Sequence, residues 1–490
     1  MELNLDQARR QAKELLRSAR AGSPDALARL RDDREPRLAD AQRAVAQDLG
    51  FSSWGALVHH VEASRGDREQ RRARLVEAAL DGRPEIAERL LEHDPSLASA
   101  GLDVALVLGD HAAVTRALEA DPALISRDIR GRKPLSHACH SAFLRPVSPR
   151  APGVRRVVEL LLDHGADVNE TFANEFGDMP VLYGAAGVAH DPETTRLLLD
   201  RGANPNDGES LYHSMEAEDV DCAELLLARG ATVRDTNALG YAISMHSVAK
   251  VRLLLEQGDL RPGDPEIRSS LLHAGNPEMV RMLLAHGADL DARDAHGRTP
   301  YMRASRFRDP TTKELLAAAG ASTELDPVTD YMGAIVRGEL DRAAAIKRAH
   351  PQLELTPDDR EDLPRWASAG EDEIVARLLD AGVPIDAPGF DNGTALHYAA
   401  MWGHPSTVEL LLARGADIHA RAGEAFARGN ALAWAAWGSR NLWIGPQRAD
   451  GYLAVTTILL DAGSLVDDAM IEVASDELAV VLSERITLTG

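Results

Sequence analysis

Residues 391–417 read DNGTALHYAAMWGHPSTVELLLARGAD, a stretch in which turn formers and helix formers alternate. An Asx/Gly cluster leads to Thr394, whose hydroxyl can cap a short alanine-rich helix, and Gly403 ends that helix. A second helix follows with its leucines on one face, and Gly415 stands where the chain needs a left-handed residue to leave it. Neither helix can bury its apolar face alone, so the stretch predicts one unit of a stack.

Copies of this unit recur along the chain. The pattern Leu-Leu-Leu-x-x-Gly occurs five times, with its glycine at positions 165, 202, 230, 258 and 415. Weaker copies place glycine at 287, 320, 382 and 463, aspartate at 94 and 121, and proline at 351. Successive markers lie 27 to 37 residues apart, except for two longer intervals of 44 and 48. This spacing predicts about 12 repeated units, in which each unit is covered by its neighbours.

Three stretches share one turn-and-helix signature: GTALHYA at 393–399, GRTPYMRA at 297–304 and GRKPLSHA at 131–138. They resemble the signature Gly-x-Thr-Pro-Leu-His-x-Ala of the ankyrin repeat. The resemblance extends over roughly residues 70–485. It implies an all-α ankyrin-repeat solenoid of about 12 helix-turn-helix units with short β-hairpin-like turns.

The first residues of the chain lack the repeat and carry two amphipathic helical patterns, which predict an N-terminal helical cap. Residues 41–57 resemble the helical lead-in of many bacterial ankyrin-repeat proteins. Extra chain interrupts the array twice, and these insertions are walls or lids beside a binding surface, or plain surface loops. The predicted organisation is a capping module at 1–69 and an array at 70–485, with insertions near 142–153 and 439–451 and a C-terminal cap at 468–485.

Composition excludes several classes of partner. The 77 acidic and 54 basic residues leave a net charge of −23, which repels phosphate backbones and anionic lipid surfaces. No run of 18 apolar residues occurs, and the first residues form no signal peptide. The two cysteines are too few for a disulfide framework, which indicates a reducing compartment. We therefore expect a cytoplasmic protein that binds neither nucleic acid nor membranes.

The resemblance implies that the first helix of each unit faces a concave groove, where partners bind. Along the chain, the predicted groove positions change from histidine to arginine and then to aromatic residues, the last two being enriched at binding hot spots. Trp402 and Trp437 fall at normally exposed positions, whereas Trp366 takes a packed one. The predicted binding residues are His137, His140, His213, Tyr241, His273, Arg303, Arg306, Phe307, Arg365, Tyr398, Trp402, Trp434, Trp437 and Trp443.

The sequence predicts neither a metal site nor a cofactor. Metal ligands must converge within about 2 to 2.3 Å of the ion, whereas equivalent positions in neighbouring repeats lie roughly 10 Å apart. Phosphate-binding loops, nucleophile elbows and metalloprotease motifs are absent from the sequence. His213 and Glu216, three residues apart, are weak candidates for an acid/base pair, since such spacing is also common in helix-surface contacts.

These observations favour a non-catalytic, monomeric scaffold that binds a protein or peptide in a groove of arginine and aromatic residues. The arginines would contact acidic groups of the partner and the tryptophans its apolar groups. The alternative is a small-molecule-binding protein or an atypical enzyme, whose pocket is formed by the groove and the two insertions.

Overall fold

The computed structural model describes residues 5–30, 38–51, 54–64, 66–174, 177–307, 310–423, 428–441, 449–475, 477–479 and 481–482. The chain divides into two compact units. The first consists mainly of residues 56–292, and the second combines residues 7–55 with 293–490.

The chain begins with helices that precede the repeats. Their bounds are α1 Leu5–Arg20, α2 Pro24–Leu30, α3 Leu38–Asp48 and α4 Trp54–Ser64. That residues 1–69 cap the array stays a prediction, as does the count of repeats.

Short helices follow one another in the first unit, each closed by a turn. They are α5 Arg68–Leu80, α6 Pro84–His93, α7 Leu102–Leu108, α8 His111–Ala120, α9 Pro134–Cys139, α10 Ala151–Asp163, α11 Val181–Tyr183, α12 Pro192–Asp200, α13 Ser210–Ser214, α14 Asp221–Ala228, α15 Ala238–Ser244, α16 Val248–Gln257, α17 Pro265–Arg268 and α18 Pro277–Ala285. One π-helical turn, Gly184–Val188, continues α11.

The second unit has the same organisation. Its repeat helices are α19 Pro300–Ala304, α20 Pro310–Ala318, α21 Pro327–Arg337, α22 Leu340–Ala349, α23 Pro357–Arg360, α24 Asp362–Ser368, α25 Asp372–Asp380, α26 Ala395–Met401, α27 Pro405–Ala413, α28 Ala431–Asn441, α29 Ala449–Asp461 and α30 Asp468–Val473. Single 3-10 turns occupy Pro95–Ser99, Pro122–Ser126, Ala142–Leu144, Ser270–Leu272 and Phe390–Asn392.

The unit at 391–417 folds as its sequence predicts. Thr394 and His397 form a reciprocal capping box at the start of α26. Gly403 and Gly415, which follow α26 and α27, have φ angles of +68° and +88°, in the left-handed region that favours glycine. The predicted helix starts and stops of this unit are confirmed.

The connections between repeats include hairpin-like turns. Strand β1, Thr171–Asn174, pairs antiparallel with β2, Gly177–Pro180, so that Thr171 lies opposite Pro180. Single antiparallel bridges join Ile129 to Arg132 and Ala422 to Gly429 in two other turns. Within the described residues, the fold is therefore an all-α repeat solenoid with short hairpin turns, as predicted.

Apolar residues of successive helices form a continuous core along much of the second unit. In the second unit, one cluster of buried side chains runs from Tyr331 on α21 to Leu482. Burying a leucine contributes about 1.5–3 kcal/mol, and these short helices bury their apolar residues against adjacent helices, so the stability of each depends on its neighbours.

The first predicted insertion packs against its neighbours. Ala142, Phe143 and Leu144 are buried, and the Arg150 guanidinium binds the Glu88 carboxylate at 2.8 Å. Much of the segment 142–153 is thus packed against the rest of the first unit, whereas Val147 is exposed. In the second insertion, residues 442–448 lie outside the described residues.

One polar contact recurs between repeats. The last carbonyls of a helix have no partner within that helix. At several first-helix ends, a side chain of the following repeat donates a hydrogen bond to such a carbonyl. The donor and acceptor pairs are Ser141 with Val107, Lys250 with Met215 and Ala217, Arg337 with Ser305, Arg377 with Val336, His404 with Ser368, and Tyr452 with Met401.

Replacing Tyr452 by phenylalanine tests this contact. The hydroxyl of buried Tyr452 donates to the Met401 carbonyl at 2.8 Å, so Tyr452→Phe leaves that oxygen without a partner. We expect the free energy of unfolding, measured in urea, to fall by about 1–3 kcal/mol. The matched control is Tyr398→Phe, because the Tyr398 hydroxyl donates to the Phe390 carbonyl where water can replace it. A loss of about 0.5 kcal/mol or less is expected there, and equal losses in both variants would contradict the assignment.

Candidate binding surfaces

The first unit buries two of the predicted groove histidines. On α9, His137 Nε2 donates to the Ile129 carbonyl at 2.8 Å, and the His140 Nδ1 atom lies 3.0 Å from the Ser136 carbonyl. The β1–β2 hairpin covers this helix, since the ring of Phe172 on β1 contacts the His140 ring edge-on at 4.8 Å. The expected exposure of His137 and His140 is therefore wrong.

Burial also keeps these two histidines neutral. It lowers the pKa of His140 to about 3 and lowers that of His137 as well. Next to them, buried Glu170 accepts a hydrogen bond from the Ser136 amide at 3.0 Å, and burial raises the pKa of Glu170 to about 7. This cluster lies beneath the surface, where a macromolecular partner has no access.

Three tyrosines form a partly exposed row beside this cluster, which we call the tyrosine ladder: Tyr183, Tyr212 and Tyr241. The rings of Tyr212 and Tyr241 meet edge-on at 5.4 Å. His213 lies between the other two, with ring centroids 4.9 Å from Tyr183 and 4.8 Å from Tyr212. Of the three, sequence reasoning selected only Tyr241. The missed signal was their spacing of 29 residues, close to one repeat.

His213, one of the two weak catalytic candidates, is held between two carboxylates. Its Nδ1 atom lies 2.9 Å from Glu216 Oε1, and its Nε2 atom lies 3.3 Å from Glu209 Oε2. Burial lowers the pKa of His213, but the carboxylates of Glu216 and Glu209 outweigh burial and raise it. Both ring nitrogens thus already contact carboxylates of the chain, which disfavours a role for His213 as general base toward a substrate.

This arrangement makes a prediction about titration. In selectively labelled protein, NMR should give His213 a pKa above 6.5, and in Glu209→Gln/Glu216→Gln a pKa below 6.5, because burial then acts alone. The raised pKa means that the contact contributes stability that is complete below the unfolded pKa and is lost as the pH rises through the folded pKa. The same pKa in both proteins would show that the carboxylates do not control His213.

The remaining predicted histidine of this unit, His273, is exposed and follows the turn Ser270–Leu272. Its role as a binding residue stays a prediction.

In the second unit, the predicted groove arginine Arg306 lies inside the protein. Only 5% of Arg306 is exposed, and its guanidinium donates to Asp359 at 2.6 Å and to Asp362 at 2.6 and 3.0 Å. Burial lowers its pKa, but the two carboxylates reverse the effect and raise it. The expected exposure of Arg306 is wrong, because its own chain already supplies the carboxylates that a partner was expected to bring.

Arg303 belongs to a neighbouring ion network. Asp294 Oδ2 lies 3.0 Å from Arg303 Nη1 and 3.1 Å from Arg298 Nε. Although burial raises the pKa of Asp294, hydrogen bonds from Arg298 and Arg303 lower it to about 2. Arg298 also pairs with Asp358. The Arg303 Nε atom is buried without a hydrogen-bond partner.

A small cleft connects these groups to the surface. Its accessible volume of about 10 Å³ leaves room for one water molecule. The rings of Phe307 and Trp366 meet edge-on at 6.1 Å in its wall. Arg365, in contrast to Arg306, is exposed, and no ion pair joins it to any acid in the described part of the chain. The lining residues are Arg298, Arg303, Arg306, Phe307, Asp362, Arg365 and Trp366.

Trp434 on α28 is also buried, with 1% of its surface exposed, so its expected exposure is wrong. Its ring contacts His397 at 5.2 Å and Tyr398 at 5.3 Å, both edge-on. Gly393 makes room for it, because a Cβ atom there would lie 2.6 Å from the indole. The previous repeat and its turn thus enclose Trp434.

Four aromatic residues around Trp434 remain partly or largely exposed, and we call them the aromatic face: Phe390, Tyr398, Trp402 and Trp437. Phe390 is 68% exposed at the tip of the turn before α26. The Tyr398 hydroxyl fixes this turn through the Phe390 carbonyl, and burial raises the pKa of Tyr398 to about 12, which keeps it a hydrogen-bond donor. Phe390 was absent from the predicted site, although its place in a turn between repeats was a usable signal. Trp443 lies outside the described residues.

Replacing the buried Arg306 tests whether its ion pairs stabilise the fold. Arg306→Met removes the cation paired with buried Asp362 and leaves Asp359 with Thr356 and a 3.9 Å contact to Arg298, so we expect the free energy of unfolding to fall by about 3–5 kcal/mol in urea titrations. The control, Arg365→Met, removes an exposed cation and should cost about 0.5 kcal/mol or less. An Arg306→Met variant as stable as the control would contradict the pairing described above.

Comparison with known families agrees with this architecture. A family model described as ankyrin repeats in three copies matches residues 346–422, and a single ankyrin repeat matches residues 268–295. The chain contains ankyrin repeats. Those of residues 346–422 carry α24, α26 and the turn of Phe390. Ankyrin repeats typically mediate protein–protein interaction, which fits a binding scaffold.

Similar proteins share short parts of the ankyrin array. The ankyrin repeat and KH domain-containing protein mask-1 of Caenorhabditis elegans is 29% identical over 143 residues, 29% of this chain and 4% of that protein. Inversin of Gallus gallus is 47% identical over 58 residues, 11% of this chain and 5% of that protein. The chain thus spans a small fraction of these relatives.

Among solved structures, the ankyrin repeat domain of Bcl-3 is similar at 24% identity and a TM-score of 0.35, over 44% of this chain and 97% of that one. In the part of the chain that the structure describes, no helix is long and apolar enough to cross a membrane, and no group of three or more His, Cys, Asp or Glu residues could hold a metal ion.

Proposed function

We propose that this chain is a non-catalytic, monomeric scaffold of the cytoplasm, which binds another protein or peptide through the aromatic face of its second unit. The observation that supports this is the exposure of Phe390, 68% open to solvent and joined through its carbonyl to the Tyr398 hydroxyl. The partly exposed rings of Tyr398, Trp402 and Trp437 pack around the same buried cluster, which contains Trp434. A cluster of large rings on a surface marks an interaction site more often than scattered apolar residues do.

The aromatic face offers a rigid anchor. Tyr398 is tied to the turn of Phe390 by its hydroxyl, and its ring rests against the buried Trp434. Rings that are already ordered lose little conformational freedom when a partner covers them. An apolar side chain of the partner would therefore bind here at low entropic cost.

Arg365 gives the partner a polar requirement. It lies on α24. Pro364 of the same helix approaches the turn of Phe390, because a Cβ atom added to Gly389 would lie 3.1 Å from Pro364 Cβ. Because the guanidinium of Arg365 is exposed, it can bind a carboxylate of the partner in bidentate fashion. The proposed partner therefore carries acidic and apolar groups side by side.

The test has two stages. Partners are captured with the full chain, identified and purified, and their affinity is then measured by calorimetry. Phe390→Ala/Trp402→Ala/Trp437→Ala should weaken binding by about 100-fold or more, since each hot-spot truncation removes about 1–2 kcal/mol. Arg365→Ala should weaken it by roughly tenfold or less, with a reduced dependence on salt.

The control for this experiment is Leu340→Ala, which removes a residue 57% exposed in the same unit but outside the aromatic face. Its affinity should stay within about twofold of the wild type. If the triple variant melts at the wild-type temperature and binds every identified partner with unchanged affinity, the aromatic face is not the binding site.

A further inference from the structure

The tyrosine ladder of the first unit has properties that differ from those of the aromatic face. Tyr183, Tyr212 and Tyr241 each leave part of the ring in solvent. None of their hydroxyls makes a hydrogen bond within the described residues. The neighbouring Met245, four residues after Tyr241, is 56% exposed. The ladder is thus an unsatisfied surface of rings, phenol groups and a polarisable thioether.

The segment that carries Tyr212 is strongly acidic. Residues 207–224 contain seven acids and no lysine or arginine: Asp207, Glu209, Glu216, Glu218, Asp219, Asp221 and Glu224. No lysine or arginine in the described part of the chain forms an ion pair with any of them, and their ionic partner is His213. The buried Lys250 ammonium, which donates to the Met215 and Ala217 carbonyls, adds a second internal cation near Glu218 and Asp219. The seven carboxylates still outnumber these two internal cations.

The carboxylate of Glu216 acts on all three rings. Burial raises the pKa of Tyr183, Tyr212 and Tyr241, and the charge of Glu216 raises each of them further. Its field thus extends along the whole ladder. A cation beside these rings would be attracted both by the carboxylate and by the electron-rich ring faces.

We infer that the tyrosine ladder is a second docking surface, whose occupant is a basic segment of a partner protein with lysine or arginine side chains seated against Tyr212 and Tyr241. Charge complementarity supports this occupant, since an acidic segment would meet an excess of carboxylates, among them Glu209 and Glu216 beside the rings. The ladder extends over three successive repeats, a length that suits an extended segment with several cations. This surface is independent of the aromatic face, where we place acidic and apolar groups.

The probe is a fluorescent 12-residue peptide with four lysines, and its twin carries acetyl-lysine at the same positions. Fluorescence anisotropy with the full chain should detect binding of the lysine peptide and a loss of about tenfold or more in affinity for the twin, because acetylation removes the charge. Equal affinities for the two peptides, or no binding of either, would overturn the proposal.

Paired variants separate the ring faces from simple packing. Tyr212→Leu/Tyr241→Leu keeps apolar bulk but removes the rings, and should weaken binding by about tenfold. Tyr212→Phe/Tyr241→Phe keeps the ring faces, and its affinity should stay within about threefold of the wild type. Circular dichroism confirms that both variants fold. Wild-type affinity in the folded leucine variant would overturn the assignment, as would equal losses in both.

A second pair of variants tests the carboxylates. Glu218→Gln/Asp219→Asn neutralises two exposed acids of the loop that follows α13, the helix of Tyr212, and Glu119→Gln/Glu159→Gln removes the same charge from α8 and α10 of the same unit. The first variant should weaken binding by about fivefold and reduce its salt dependence, whereas the second should change the affinity by less than twofold. Equal effects would mean that overall charge, and not this surface, holds the peptide.

Discussion

The carbonyl groups at the ends of the first helices impose the constraint on which the rest of this structure depends. A short helix of five to eleven residues leaves much of its hydrogen-bonding capacity unused at its end. Here the next repeat supplies the missing donor, from serine at Val107, lysine at Met215, histidine at Ser368 and tyrosine at Met401. Hydrophobic stacking brings neighbouring repeats together without direction, whereas these bonds determine how far one helix can slide past the next.

Pairing between groups of the same chain also explains why charges expected on the surface lie within the fold. Arg306 binds Asp359 and Asp362, and Asp294 accepts hydrogen bonds from two arginines. These arginines of the second unit therefore form ion pairs within the unit itself. Buried pairs of this kind cost desolvation energy and contribute mainly through geometry. We therefore propose recognition at groups that stay exposed, which are Arg365 and the aromatic face in the second unit and the tyrosine ladder in the first.

The sequence sufficed for the repeat, its helix caps and its turns, because these depend on local residues such as Thr394, Gly403 and Gly415. Exposure was harder to predict. His137 and Trp434 lie on first helices, and His140 and Arg306 lie just beyond the ends of first helices. Yet a hairpin covers His140, acids of α23 and α24 bind Arg306, and Tyr398 packs on Trp434. A repeat phase identifies the helix on which a residue lies, but not which side chains of the neighbouring repeats lie over it. The spacing of Tyr183, Tyr212 and Tyr241 was readable in advance, since a ring repeated at one period stacks into a row.

The side chains that donate hydrogen bonds to the helix-end carbonyls differ from one repeat junction to the next. This difference constrains how the number of repeats can change during evolution. A repeat copied or deleted in tandem would present a tyrosine where a serine had fitted, or a lysine where the available gap suits histidine. At each junction, the donor side chain therefore matches the carbonyl group and the space of that junction alone. Growth or shortening of the array by whole units would require compensating substitutions on both sides of the new seam.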